Sequence, residues 1–118
     1  MTNENIKYII VKNNCALMEC YMGGQLAYFF TDKSDGTYYN TLDRGGFDCW
    51  TVMLNYKKNA KMVLATIKKA WKSEGHTIEW DEEECTSMNE DPMGAEIVKV
   101  QYISDGDNSR WVVCEERK

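Results

Sequence analysis

The stretch KKNAKMVLATIKKAWKS, residues 57–73, gives the clearest structural signal in the chain. On a wheel of about 100° per residue, its apolar side chains fill roughly one third of the circle and its lysines another third, nearly opposite. The apolar positions are Ala60, Val63, Leu64, Ile67, Ala70 and Trp71, and the lysines are Lys57, Lys58, Lys61, Lys68, Lys69 and Lys72. The pattern predicts an amphipathic helix, capped by Asn55 or Asn59 and ended by a left-handed Gly75.

Strand-like segments precede this helix. IKYIIVK (6–12) and CALMECYM (15–22) flank an Asn-Asn pair and predict a hairpin. LAYFFT (26–31) and TYYNTL (37–42) extend it into an antiparallel meander. The short run WTVML (50–54) fits a strand or the start of a helix, because periodicity does not separate the two over so few residues.

More strand-like segments follow the helix. HTIEW (76–80) alternates as a half-buried strand does, which places His76, Ile78 and Trp80 inward. Residues 81–94 have the composition of a loop. AEIVKVQYIS (95–104) and RWVVCEE (110–116) then predict a second hairpin. Its inward positions are Val98, Val100 and Tyr102.

Together these elements predict the α+β class. We expect a single antiparallel sheet of about five to six strands, with one amphipathic helix packed across one face and the other face left partly open. A chain of 118 residues, 43% of them apolar, can bury one core. A single domain over residues 1–118 is therefore expected.

Charge and cysteine content limit the classes of function. A formal net charge of -5 disfavours binding to duplex nucleic acid, which needs an excess of cations at the contact. The cysteines are odd in number and lack the close pairs of a zinc site. They are Cys15, Cys20, Cys49, Cys85 and Cys114. The N-terminal residues have no apolar signal region, and no apolar run approaches the roughly 18 residues of a membrane span. We expect a cytoplasmic protein with reduced thiols and no membrane association.

Catalytic and cofactor motifs are absent from the sequence. His76 is the one histidine, and no nearby signature pairs it with a nucleophile. No glycine-rich nucleotide motif occurs. A calcium loop starting at Asp32 would place Gly36 at a ligand position and Thr37 where glycine is required. The sequence therefore predicts a binding protein without a cofactor or a metal, and not an enzyme.

The candidate binding surface is an acidic segment directly after the helix. From Glu74 to Glu96 the chain has nine acids and neither lysine nor arginine. Dense carboxylates can imitate a phosphate backbone and attract a cationic partner, and large apolar residues can anchor such a contact. The candidate partner-binding residues are Trp80, Asp81, Glu82, Glu83, Glu84, Met88, Glu90 and Asp91. A solvated loop is the alternative, and it differs in whether the carboxylates are held rigidly.

The leading hypothesis is a small acidic protein that binds another protein stoichiometrically. Phages and mobile elements use accessory proteins of this type to inhibit host defence or nucleic-acid enzymes. One alternative is a small-molecule or nucleotide-binding domain, or a minor enzyme, with a pocket between helix and sheet. Its lining would be Tyr28, Phe30, Trp50 and Trp111. Another is binding of single-stranded nucleic acid by the six lysines of the helix, with Tyr56 and Trp71 available for stacking. The sequence leaves the oligomeric state open.

Overall fold

The computed structural model of the chain describes residues 5–32, 37–38, 42–44, 47–104, 106 and 110–114. Its elements are β1 (Ile6–Lys12), β2 (Cys15–Met22), β3 (Gln25–Asp32), β4 (Thr37–Tyr38), β5 (Leu42–Arg44), β6 (Phe47–Thr51), α1 (Lys57–Lys72), a 3₁₀ turn (Glu74–His76), β7 (Thr77–Glu79), β8 (Cys85–Met88), β9 (Glu96–Ile103) and β10 (Arg110–Val113).

The strands form one mixed sheet. Eight of them follow the hydrogen-bonded order β4-β10-β9-β1-β2-β3-β8-β7, while β6 pairs with β2 and β5. All pairs are antiparallel except β3 with β8. The α+β class with one helix is confirmed for the described residues. The expectation of five to six antiparallel strands is wrong. Part of the reason is β8, which lies in the segment expected to be a loop and is too short to show a strand period.

The first hairpin forms as predicted and then opens. Asn13 and Asn14 have φ angles of 51° and 63°, as a two-residue hairpin turn requires. Only two residue pairs join β1 to β2, after which β2 pairs with β6 on this edge, while β9 pairs with the opposite edge of β1. The run 50–54 enters this opening. Leu54 and Tyr8 exchange backbone hydrogen bonds of 2.8 and 2.9 Å, so the run is extended and not helical.

The other predicted strands are confirmed in part. The hairpin of β9 and β10 forms, and Val100 is fully buried while Tyr102 is 36% exposed. The meander ends at β3, because β4 pairs with β10 instead.

The helix has the predicted extent but different ends. Tyr56 occupies the N-cap position and makes no side-chain capping bond. The expected asparagine cap is wrong, because the Asn55 side chain accepts a hydrogen bond from Lys7 Nζ and Asn59 lies inside the helix. The Ser73 N–H donates to the Ala70 carbonyl at the C-terminus. Gly75 is left-handed as expected, with a φ of 67°, but it belongs to the 3₁₀ turn after the helix.

Both faces of the sheet are buried at β1. Ile9 and Ile10 are neighbours on β1 and point to opposite faces, yet neither is exposed to solvent. On the helix side, Ile10 packs with Leu17 and Ile67. On the other side, Ile9 packs with Ala16 and Val100, and Met53 and Trp111 cover this cluster. The face away from the helix is therefore covered over β1, but it is open in part at β9 and β10, where Tyr102 is 36% and Val113 is 45% exposed.

A disulfide joins β2 to β6. Cys20 and Cys49 lie directly opposite each other in the register, with their Cα atoms 4.1 Å apart, and their sulfurs are bonded. Met18 and Phe29 pack against the bridge. The expectation of reduced thiols is wrong for these two residues, because 29 positions separate them in sequence and no local spacing indicates the pairing. Cys15, Cys85 and Cys114 are free.

Thiol counting tests this pairing. Iodoacetamide added to the unfolded, unreduced protein should label three cysteines, and prior reduction should raise the number to five. Reduction should also lower the free energy of unfolding by about 3–4 kcal/mol, because the bridge closes a loop of this length in the unfolded chain. The variant Cys114→Ser should leave that free energy unchanged within about 0.5 kcal/mol. Five labels without reduction would contradict the pairing.

Candidate interaction surface

Residues 81–84 form a closed loop between β7 and β8, here called the acidic loop. The Trp80 and Asp81 N–H groups both donate to the Glu84 carbonyl, at 2.8 and 3.3 Å. Asp81 Oδ1 accepts the N–H groups of Glu83 and Glu84, each at 2.8 Å. One of the acids therefore holds the loop closed, since an aspartate that accepts neighbouring backbone N–H groups stabilises a turn.

The acidic loop is also fixed to the turn between β2 and β3. The Cys85 N–H donates to the Gly24 carbonyl at 3.0 Å. Gly24 has a φ of 88°, and a Cβ atom there would lie 2.1 Å from the Glu83 carbonyl oxygen. Only glycine fits this contact, for both its left-handed backbone and its lack of a side chain. Two turns that are distant in sequence thus hold each other in place.

Trp80 lies at the surface beside the acidic loop. Its side chain is 60% exposed, and its indole Nε1–H donates to Thr86 Oγ1 at 2.8 Å. The predicted inward position is wrong, because β7 ends at Glu79 and the chain turns at Trp80. The hydrogen bond fixes the orientation of the ring while most of its apolar surface remains in water.

His76 is likewise not an inward strand residue. It has a φ of 56° and stacks on Trp71, with ring centroids 3.9 Å apart. Its Nδ1 lies 2.6 Å from the Trp71 carbonyl oxygen. The left-handed backbone just before β7 turns the ring back towards the helix. His76 therefore packs against the end of the helix, and the alternation of the strand begins only after it.

The remaining acidic candidates lie at the other end of β8. The four residues of β8 separate them from the acidic loop by about 13 Å. Glu90 Oε1 accepts the Phe30 N–H at 3.2 Å. Asp91 Oδ1 accepts the Met93 N–H at 2.9 Å, and the Asp91 carbonyl accepts a hydrogen bond from Lys12 Nζ. The eight sequence candidates therefore do not form one surface.

Met88 does not belong to any exposed surface. Its side chain is fully buried in the helix-side core, together with Tyr28 and Ile67. The prediction that it anchors a partner is therefore wrong. The physical reason is the parallel pairing of β8 with β3, which places Met88 beside Tyr28 and beneath the helix.

The acidic loop and the lysine face of the helix are both exposed. The acidic loop carries Asp81, Glu82, Glu83 and Glu84, all exposed, and Glu79 at the end of β7 is exposed too. The six lysines of the helix are exposed as the wheel predicts, and Met62 among them is 67% exposed. The helix itself contains no acid. Lys58 Nζ lies 5.7 Å from the centroid of the Tyr56 ring.

The four aromatic residues expected to line a pocket do not converge. Tyr28 and Phe30 belong to the helix-side core, while Trp111 packs on the opposite face, where its ring lies 5.2 Å from that of Tyr102. Trp50 is half-buried on β6 and pairs with Glu19, which places it on the helix side, so Trp111 is the one of the four on the other face. Among the described residues, no group of three or more His, Cys, Asp or Glu side chains is placed to hold a metal, and no helix is long and apolar enough to cross a membrane.

One polar pair was missed at the sequence level. The Tyr28 hydroxyl donates a hydrogen bond to Glu19 Oε2. Burial first, and then the adjacent carboxylate, raise the pKa of Tyr28 well above its usual value, so the hydroxyl remains protonated. The available signal was Glu19 itself, a single acid within the otherwise apolar strand CALMECYM.

Removing the Asp81 carboxylate tests how the acidic loop is held. Asp81→Ala should lower the free energy of unfolding by about 1–2 kcal/mol, because two backbone N–H groups lose their acceptor. Glu82→Ala, at an exposed neighbour, should change it by less than about 0.5 kcal/mol. Urea unfolding at constant pH measures both values. Equal effects of the two substitutions would contradict the structural role of Asp81.

Comparisons with known proteins were made at the level of family, sequence and structure. Neither the models of protein families, nor curated protein sequences, nor solved structures contain a match to this chain.

Proposed function

We propose that this protein acts by stoichiometric binding to a protein partner, and that the acidic loop contacts a cationic surface of that partner. The observation that supports this most is the way the acidic loop is held. Asp81 closes it, Gly24 packs beneath it and Trp80 is hydrogen-bonded beside it. The carboxylates of Glu82, Glu83 and Glu84 thus project from a backbone with several fixed points.

A fixed backbone favours recognition over mere solvation. Binding orders side chains and loops at a cost in entropy, and a loop that is already closed loses less on association. Its clustered carboxylates also attract a cationic partner over distances of about a Debye length, 8–10 Å at moderate salt. Trp80 adds an exposed aromatic ring of the type enriched at the centres of interfaces.

The partner class that fits this chemistry is an enzyme that binds nucleic acid. Such an enzyme has a cationic channel, and a row of carboxylates can occupy it in place of phosphates. The protein would then act as an inhibitor, as accessory proteins of phages and mobile elements do. Catalysis is not part of this proposal, since binding alone blocks the channel.

Two other functions have less support. A small-molecule pocket between helix and sheet would need aromatic residues that here lie on opposite faces, such as Phe30 and Trp111. Binding of single-stranded nucleic acid is favoured by the exposed lysines and by Tyr56, which is 59% exposed. Trp71 is less available for stacking on bases, because His76 already covers one face of its ring.

Charge reversal tests the proposal. The tagged protein is used to capture its partner from the source lysate at low salt, and affinity for the identified partner is then measured. Glu82→Lys combined with Glu83→Lys should weaken binding at least about tenfold, because both carboxylates face a cationic surface. Glu74→Lys combined with Glu96→Lys makes the same change in net charge at exposed sites away from the acidic loop. This matched control should retain most of the affinity.

Equal losses in the two double variants would contradict the proposal, because net charge alone would then explain the binding. Loss of binding in Lys61→Glu combined with Lys68→Glu, with full binding in the Glu82 and Glu83 variant, would assign the contact to the helix instead. Recovery of a nucleic acid rather than a protein in that case would support the single-strand alternative.

A further inference from the structure

Two exposed aromatic side chains, Tyr21 and Trp80, lie next to the acidic loop. The register places Tyr21 opposite Leu26, Leu26 opposite Thr86, and Thr86 opposite Ile78. Directly paired residues have their side chains on the same face of a sheet. Leu26 and Ile78 pack against the helix-side core, so Tyr21 and Thr86 are also on the helix side.

Trp80 lies on this same side, because its indole is hydrogen-bonded to Thr86. Tyr21 and Thr86 belong to strands two positions apart, which corresponds to about 10 Å. Leu26 lies between them and is half-buried. Tyr21 is 46% exposed and Trp80 is 60% exposed. The two exposed side chains therefore lie on either side of the half-buried Leu26, and this arrangement is here called the groove.

A carboxylate lies close to this groove. Glu19 precedes Tyr21 by two residues on β2, so its side chain points to the same face about 7 Å away. It is half-buried and accepts the Tyr28 hydroxyl through Oε2. A carboxylate has about four lone-pair sites, so this one bond leaves acceptor capacity. Its charge adds to that of the acidic loop.

We propose that this groove binds an arginine side chain of the protein partner, with the guanidinium between the Tyr21 and Trp80 rings and the Glu19 carboxylate as its acceptor. The proposal rests on the function proposed above and identifies the chemistry of the contact. Arginine stacks on aromatic rings and donates paired hydrogen bonds to carboxylates, which the other side chains do not combine.

Charge complementarity distinguishes arginine from other occupants. An apolar side chain would cover Glu19 without bringing a cation to balance its charge, and burying an uncompensated charge is unfavourable. An anion would meet repulsion from Glu19 and from the carboxylates of the acidic loop.

The probe for this groove is a blocked peptide with three arginines separated by glycines. Its control has citrulline in place of each arginine, which keeps the shape and removes the charge. Two-dimensional NMR of the ¹⁵N-labelled full chain at low salt follows the indole N–H of Trp80 and the amide of Tyr21. The arginine peptide should shift both resonances in a saturable way, and the citrulline peptide should not.

Variants distinguish peptide binding at the groove from peptide binding at the acidic loop. Tyr21→Ala and Glu19→Gln should each weaken peptide binding at least about fivefold, because a cation–π contact or the counter-charge is lost. Glu19→Gln keeps an acceptor for Tyr28, so the fold should be preserved. Tyr21→Phe retains the ring and should bind normally. Tyr56→Ala removes a similarly exposed tyrosine beside a lysine and should have no effect.

Three outcomes would contradict the proposal that the groove binds arginine. One is peptide binding that is weakened by Glu82→Lys but unchanged in Tyr21→Ala and Glu19→Gln, which would leave the acidic loop as the binding surface. Another is the absence of any shift at Trp80. The third is a shift of the same resonances with protein concentration alone, which would assign the groove to a second copy. The partner-capture experiment tests the proposed function separately from all three.

Discussion

The parallel pairing of β8 with β3 is the interaction on which the rest of the surface depends. It places Met88 beside Tyr28 beneath the helix and Thr86 beside Leu26 under the Trp80 indole. It also brings the acidic loop onto Gly24, since the first residue of β8 donates to the Gly24 carbonyl. Without this pairing, the antiparallel pair of β7 and β8 would have no strand joining it to the rest of the sheet among the described residues. One short strand thus joins the core, the helix end and the charged surface.

Within the acidic segment, the same residue types have different structural roles. Asp81 and Glu90 accept backbone N–H groups and hold the chain in place. Glu82 and Glu83 are exposed and leave their carboxylates free for a partner. Clustered like charges repel one another, so an acidic surface needs fixed backbone contacts to keep its shape. The hydrogen bonds of Asp81 and the contact at Gly24 supply them.

Local sequence patterns predicted the helix and the two hairpins, because each of these elements is formed by residues that are close together in the chain. The helix follows from the wheel of residues 57–73, and the two hairpins follow from alternation and turn residues. The strand β8, the disulfide between Cys20 and Cys49 and the burial of Met88 depend on contacts between distant segments, which no local period reveals. The acidic loop was found by its charge, whereas the groove beside it depends on a register across strands that the sequence does not show.

A measurement of the mobility of the acidic loop tests most directly whether its carboxylates form a fixed recognition surface. Backbone ¹⁵N relaxation gives an order parameter for each amide. We expect values of about 0.85 for residues 81–84, as in a rigid backbone, because hydrogen bonds hold this loop closed. The amides of the neighbouring strands β7 and β8 provide the reference. Values below about 0.6 would show a flexible loop. The carboxylates would then be solvated without a fixed pattern, and the claim that they form a recognition surface would be contradicted.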